Sequence, residues 1–579
     1  MENTTQREAT LEDAKQLGLN KTEFESVKTL LGRTPNYIEV IVYGEMWSEN
    51  LSFKNSIKHL SALPTIKSVD LENGTQFSLT IENKQYKKHK DSTKQAIAKV
   101  TSYQLGNIED ENTIPSIKKT VETANKTTTT DGRNVFFDKS FNNNAISDTF
   151  SLETATTTDQ SQDKLELLKN HLTKIIASHI EASEKDITVE QEKELIQCSY
   201  KNKIIVNIPL STISVGEGTP VYDREHTEPD YFQEYKTISI DDIPEPEDLR
   251  EVATYLLRSP NIASKRWFNN QIGTRKSIPE NTSVKPLENE QQAIALTTTC
   301  QPRYVHADPE TGAAICIAEA SRKIICAGGT PKATALSLNF GNPYNPETYW
   351  QFVNTIKGLT AACTKFNTPV LDKNMSFNNV SMVDGKETAI LPSPNLGMMG
   401  IIEDRDKVMT PDFKHKGDLI FIIGEAVECI ASSEYLFSYH NHKKSPAPYF
   451  NLEKELATQL VVKSLIQKDL INAAHDCSRG GLFITLTEMS MSKELGFDIV
   501  TDAEIREDAF LFGEASGRII VGVNEDSEDD FIEYMMNAGV NYTLLGHVTQ
   551  GKLVVDDIHY GFIQAAKTIY NTAIEKTIG

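Results

Sequence analysis

Between residues 213 and 250 the chain carries Gly216, Gly218, Pro220, Pro229, Pro244 and Pro246 among acidic residues. Proline removes a backbone donor and glycine loosens the backbone, so no long helix or sheet ladder is expected to survive there. The stretch splits the 579-residue chain into two parts of different character. Downstream, over roughly 251–579, short β-branched runs at Asp418–Ile423 and Arg518–Val523 predict buried strands. Tyr349–Lys365, Leu456–Ile471 and Asp530–Ala538 predict helices, and the small and apolar residues of Gly312–Ala327 predict a buried helix or helix–strand. Strands and helices mix without a strict βαβ beat, which predicts an α+β class.

Upstream the signals are weaker. Leu17, Leu19, Phe24, Val27, Leu30 and Leu31 recur near helical spacing and Gly32 follows, which predicts a helix over 11–31. Pro35 precedes Tyr37–Tyr43, a β-branched and aromatic run that reads as a strand. Residues 106–160, rich in Thr and Asn, read as loop. A helix then follows, with Asp163 as its expected cap and Leu165, Leu168, Leu172, Ile175 and Ile176 on one face.

The net charge of −22 argues against nucleic acid and against an anionic membrane surface as partners, because both select a basic face. No run approaches 18 apolar residues, and Met1–Lys15 is polar, so neither a membrane span nor a secretory leader is expected. Seven scattered cysteines without a C-x-x-C pair predict reduced thiols and a cytoplasmic location.

Several short blocks occur in a fixed order: Leu17-Gly18-Leu19, Leu31-Gly32-Arg33-Thr34-Pro35, Met46-Trp47-Ser48-Glu49, Ala318-Glu319-Ala320-Ser321-Arg322, Leu338-Asn339-Phe340-Gly341-Asn342-Pro343, His475-Asp476-Cys477-Ser478, Gly480-Gly481-Leu482 and Leu511-Phe512-Gly513-Glu514. In this order the chain resembles the small-type subunit of phosphoribosylformylglycinamidine synthase. The resemblance implies tandem pseudo-symmetric halves, each a sheet-forming α/β domain beside a second α/β domain. Here the first half is shortened. The implied domains are 1–160, a first N-terminal-type domain; 161–247, a remnant of the first C-terminal-type domain with the linker; 248–414, a second N-terminal-type domain; and 415–579, a second C-terminal-type domain.

The family reaction is ATP-dependent amidation of formylglycinamide ribonucleotide. It needs Mg²⁺ on carboxylates, backbone amides around phosphate and a positioned acid or base. Several of the residues that the family uses are replaced here. The histidine of its Ser-Glu-His-Cys block is Asn50, which cannot carry a proton near neutral pH. Two further histidines align with Lys84 and Tyr86, and a metal-binding aspartate aligns with Thr101. In the second half, Ser-Gly-Asn-Val-Ser has become Asp372-Lys373-Asn374-Met375-Ser376, and Ser-Asp-Gly-Gly has become Ser478-Arg479-Gly480-Gly481. The positions left for a residual site are Gly328, Gly329, Asn374, Gly480 and Gly481 for nucleotide, and Glu82, Glu319 and Asp476 for metal, with Glu49 a further carboxylate.

Local readings set limits on these positions. Asp308-Pro309 reads as a turn before a helix, Gly328-Gly329 as a turn, and His475-Asp476 as a histidine and a capping aspartate at a strand end. His440-Asn441-His442 copies a family motif in the wrong half. The sequence therefore predicts a homologue that has lost catalysis. Its expected role is binding or complex formation with an active synthase subunit, a glutaminase or a small bridging subunit. The alternatives are a divergent but active ligase and a nucleotide-binding sensor; ATP and Mg²⁺ are the cofactors if family activity survives.

Overall fold

The computed structural model describes residues 7–67, 69–70, 76–81, 96–105, 144–154, 160–213, 218–239, 242–267, 282–287, 291–383 and 386–578. Among them no helix is long and apolar enough to cross a membrane. All seven cysteines are free.

The N-terminal region packs as one body. The expected helix over 11–31 is two helices, Leu11–Gln16 and Lys21–Leu31. The chain turns at Gly18, whose φ of +86° suits glycine, and Asn20 starts the second helix with a reciprocal cap to Glu23. Gly32 ends it in the left-handed region, as expected. The strand expected over 37–43 is instead the helix Tyr37–Met46. Its residues from Ile38 to Gly44 are all buried, so no polar face reveals the helical period. The start is set by a capping box: Asn36 Oδ1 accepts from Glu39 N at 2.9 Å, and Glu39 Oε2 accepts from Asn36 N at 3.0 Å.

This helix packs on Gln160–His179, which begins three residues before Asp163, so Asp163 lies inside the helix and is not its cap. Leu172 and Ile176 are fully buried, with Leu168 and Ile175 beside them. The antiparallel sheet of Ile187–Glu192, Leu195–Tyr200 and Lys203–Pro209 completes the body. Residues 9–47 and 172–213 thus share one core, and the boundary expected at 160/161 runs through it. The loop expected over 106–160 is also corrected in part, since Asn144–Thr154 is a strand; residues 106–143 and 155–159 lie outside the described residues.

A second body is built on the five-stranded sheet with order Val370–Ser376, Thr330–Asn339, Ser393–Ile402, Ala293–Thr299, Ser283–Pro286. Asp308 caps the buried helix Pro309–Cys326 through Glu310 N and Thr311 N, and Asn345 caps Pro346–Lys365. These two helices cover one face with Leu336, Leu338, Leu396 and Met398. The opposite face presents Ile294, Leu296, Ala335, Met399 and Ile401, and Val69 packs there. Strand Gln76–Ile81, from the four-stranded first-half sheet, crosses the same face. Two sheets facing each other within one chain are the dimer-like arrangement that tandem halves require.

The third body is a seven-stranded sheet between two helical layers. Strands Leu419–Ile423 and Arg518–Val523 pair as neighbours within it and are buried, as expected. Leu249–Arg258, Gly481–Met491 and Ile563–Ile578 cover one face; Leu452–Gln467 and Glu528–Ala538 cover the other. The helix expected to reach Ile471 ends at Gln467, and Asp469 has a φ of +57°. The 213–250 stretch is less of a free linker than its composition suggests. It contains the helix Asp230–Lys236, and Tyr222 N donates to Lys54 O at 2.7 Å.

Candidate functional site

The first-half positions fall in different surroundings. Asn50 lies in the short helix Glu49–Ser52. Thr101 lies in strand Ala96–Leu105 opposite Thr149. Glu82, Lys84 and Tyr86 lie outside the described residues. Glu49 is engaged: one carboxylate oxygen accepts from Asn55 N and Asn55 Nδ2, both at 2.8 Å, and the other from Ser56 Oγ. Arg224 in turn donates to Asn55 Oδ1 at 2.9 and 2.7 Å, and Asp223 meets Lys58 and His59. The segment after Pro220 is therefore strapped over the turn that follows the Asn50 helix.

The second-half positions do not all converge. Gly328 and Gly329 precede strand Thr330–Asn339, whereas Asn374 pairs with Ser337 near the strand's other end. At about 3.3 Å per residue this separates them by roughly 25 Å, too far for one nucleotide phosphate to meet both. Gly328 ends a helix with φ +88°, and a Cβ there would stand 2.4 Å from Lys407 O. A turn is thus its structural duty.

Glu319, Asp476, Gly480 and Gly481 do converge, between the second and third bodies. Asp476 is not a cap: it is a fully buried residue of strand Ala473–Cys477. Burial opposes the charged form of Asp476, yet Lys323 and His475 hold its carboxyl well below the usual range. His475 is buried too, and burial would lower its pKa, but Asp476 and Glu488 raise it to about 10. His475 Nε2 lies 3.2 Å from Glu488 Oε2. Glu319 accepts from Lys323 Nζ at 2.6 Å and from Gln301 Nε2 at 2.7 Å. Against burial, Lys323 holds its carboxyl below the ordinary value.

Of the rest of this network, the family blocks reached Glu514, but sequence reasoning missed Glu434 and Arg303. Glu434 is buried and accepts from Arg303 Nη2 and Ser438 Oγ at 2.6 Å and from Ser259 Oγ at 2.7 Å. Burial would raise it, but Arg303 and these hydroxyls bring it to about 2. Glu514 accepts from Gly480 N at 2.7 Å, from Glu434 N at 2.9 Å and from Tyr304 Oη; burial raises its pKa despite Arg303. One signal was available in the sequence. After its first turn, Glu319, Arg322 and Lys323 interrupt a helix otherwise made of small and apolar residues, and buried charges need partners.

The two glycines are required by the chain itself. Gly480 and Gly481 have φ of +83° and +72°, and a Cβ on Gly481 would stand 2.7 Å from both Gly513 O and Leu511 O. The turn thus packs on protein backbone. Chemically, the arrangement balances buried carboxylates against lysine, arginine and histidine. Among the described residues no group of three or more His, Cys, Asp or Glu is placed to hold a metal ion.

Comparison with known proteins follows this division. Residues 280–402 match the AIR synthase related protein N-terminal domain, 415–558 the corresponding C-terminal domain, and 9–54 the formylglycinamide ribonucleotide amidotransferase linker domain. The phosphoribosylformylglycinamidine synthase subunit PurL of Alkaliphilus metalliredigens is 36% identical over 360 residues, 61% of this chain and 48% of that protein. The PurL subunit of Salinibacter ruber is 37% identical over 356 residues, 58% of this chain and 46% of that protein. The chain therefore spans about half the length of the curated relatives it matches. In fold it is similar to phosphoribosylformylglycinamidine synthase II of Thermotoga maritima, with a TM-score of 0.50 and 14% identity over 91% of this chain and 100% of that one. Fold, domain content and sequence together make the chain a homologue of the PurL subunit of phosphoribosylformylglycinamidine synthase.

Proposed function

We propose that this chain is a non-catalytic homologue of the synthase that acts as a folded platform in a cytoplasmic complex with an active synthase subunit, its glutaminase or a small bridging subunit. The observation that carries the reading is the joint replacement at Asn50, Lys84, Tyr86 and Thr101, which removes the imidazoles and the carboxylate that the resemblance assigns to the reaction. One such change could be compensated; all four together leave no imidazole and no aspartate at the matching positions.

The reaction implied by the resemblance needs ATP and Mg²⁺, and the second-half carboxylates do not fit that need. Glu319 is engaged by Lys323 and Gln301, Asp476 faces His475, and Glu434 is paired with Arg303. A hard cation binds oxygen ligands that are free to turn toward it, and here both oxygens of Glu319 and of Glu434 are turned toward protein donors. We assign no catalytic step to these residues. A fold that keeps its cores while its reactive positions change supports a binding role. That the relatives are named as subunits supports partners of the same kind.

The partner claim is tested by sedimentation of the purified chain mixed with an active PurL subunit, a glutaminase subunit and a bridging subunit. The expected result is a faster boundary containing this chain. Independent sedimentation of this chain in every mixture would remove the complex-forming role.

A further inference from the structure

The buried charges form one continuous path across the contact between the second and third bodies. It starts at Lys323, whose Nζ donates to Glu319 Oε1 at 2.6 Å. Gln301 Nε2 donates to the other oxygen of Glu319 at 2.7 Å, and Gln301 Oε1 accepts from Arg479 Nη2 at 2.9 Å. Arg479 Nη1 reaches Asn261 O at 3.4 Å, and Asn261 Nδ2 lies 3.1 Å from both oxygens of Glu434. Arg303 Nη2 closes the path on Glu434 Oε2 at 2.6 Å. Lys323, Glu319, Gln301 and Arg303 belong to the second body; Arg479 and Glu434 belong to the third.

Three features give this path a meaning beyond packing. The carboxylates on it are almost completely removed from solvent. Each has a cation of the protein within hydrogen-bond distance. Arg479 stands directly before Gly480-Gly481, where the resemblance places an aspartate. Exchanging a carboxylate for a guanidinium changes the local charge by two units in the direction that a divalent cation would otherwise supply.

We propose that Arg479, with Lys323 and Arg303, does the electrostatic work of a divalent cation at this contact, making it a metal-independent clamp between the second and third bodies. The inference rests on the non-catalytic reading and deepens it. The carboxylates are kept because the clamp needs them, and metal is dispensed with because the cations are built in.

The test uses the full chain. Wild-type protein is expected to unfold at the same temperature in EDTA and in millimolar Mg²⁺ or Mn²⁺, because every oxygen of Glu319 and Glu434 already accepts from a protein donor. Lys323→Met leaves Glu319 without its cation; it is expected to unfold several degrees lower in EDTA and to recover most of that loss in Mn²⁺. The double variant Glu319→Gln/Lys323→Met is expected to show no Mn²⁺ response. A Lys323→Met protein that unfolds at the same temperature with and without Mn²⁺ would overturn the clamp. Should Lys323→Met not fold, Mn²⁺ titration of wild type followed by electron paramagnetic resonance decides alone. No saturable binding supports the clamp; saturable binding lost in Glu319→Gln overturns it. Metal binding by wild type without turnover would sink the clamp only, whereas turnover of formylglycinamide ribonucleotide would sink the non-catalytic reading itself.

Discussion

Replacing Arg322 with methionine is expected to destabilise the second half by about 3–5 kcal/mol, the usual cost of removing one partner of a buried ion pair. Arg322 is 1% exposed. Its Nη1 donates to Glu455 Oε2 at 2.6 Å and to Ser516 Oγ at 2.8 Å. The pair joins helix Pro309–Cys326 of the second body to helix Leu452–Gln467 of the third. Beside it, Ser321 Oγ donates to Gln459 Oε1 at 2.5 Å, and Gln459 Nε2 donates to Ala318 O and Glu455 Oε1. The loss comes from stranding the Glu455 carboxylate more than from forfeiting attraction, so removing both charges should cost less than removing Arg322 alone. Denaturant unfolding of Arg322→Met, Glu455→Met and the double variant measures this. A double variant less stable than Arg322→Met would contradict it.

Trp47→Ala is expected to cost about 3–5 kcal/mol, the range for emptying a buried aromatic site, and to release the N-terminal body alone. The Trp47 ring packs edge-on against Tyr43, with centroids 5.2 Å apart, and Nε1 donates to Thr212 O at 2.8 Å. Tyr43 Oη is hydrogen-bonded to Thr212 Oγ1 at 2.7 Å. One side chain thus fastens the N-terminal helices to a segment 165 residues later. Hydrogen exchange should rise over 187–213 in the variant and stay unchanged over 419–423. Exchange confined to the helices before Trp47 would show that the two segments do not share stability.

The regular second half was legible because its signals are local. Asp308 and Asn345 sit before proline-started helices, and Leu419–Ile423 and Arg518–Val523 are short enough to read as strands. Tyr37–Met46 was misread because a helix buried on all sides has no polar face to set its period; only the Asn36–Glu39 cap marked it. The shared core of 9–47 and 172–213 joins residues too distant in sequence for any periodic signal. The candidate site was legible by halves. Family blocks pointed to Glu319, Asp476 and Gly480-Gly481, and Lys323 lies four residues after Glu319 on the same helix, but the Arg303–Glu434 pair and the contact of Arg479 with Gln301 emerge only when separate segments meet. The metal positions looked open in sequence because a carboxylate carries no mark of what faces it.

The most direct test is product formation from formylglycinamide ribonucleotide by the purified chain, with ATP, Mg²⁺ and excess ammonia, so that no glutaminase is needed. A protein that melts cooperatively and forms no product above the enzyme-free rate is the predicted result. Steady ATP-dependent turnover would contradict it, and would mean that residues other than the replaced histidines and aspartate have rebuilt the site.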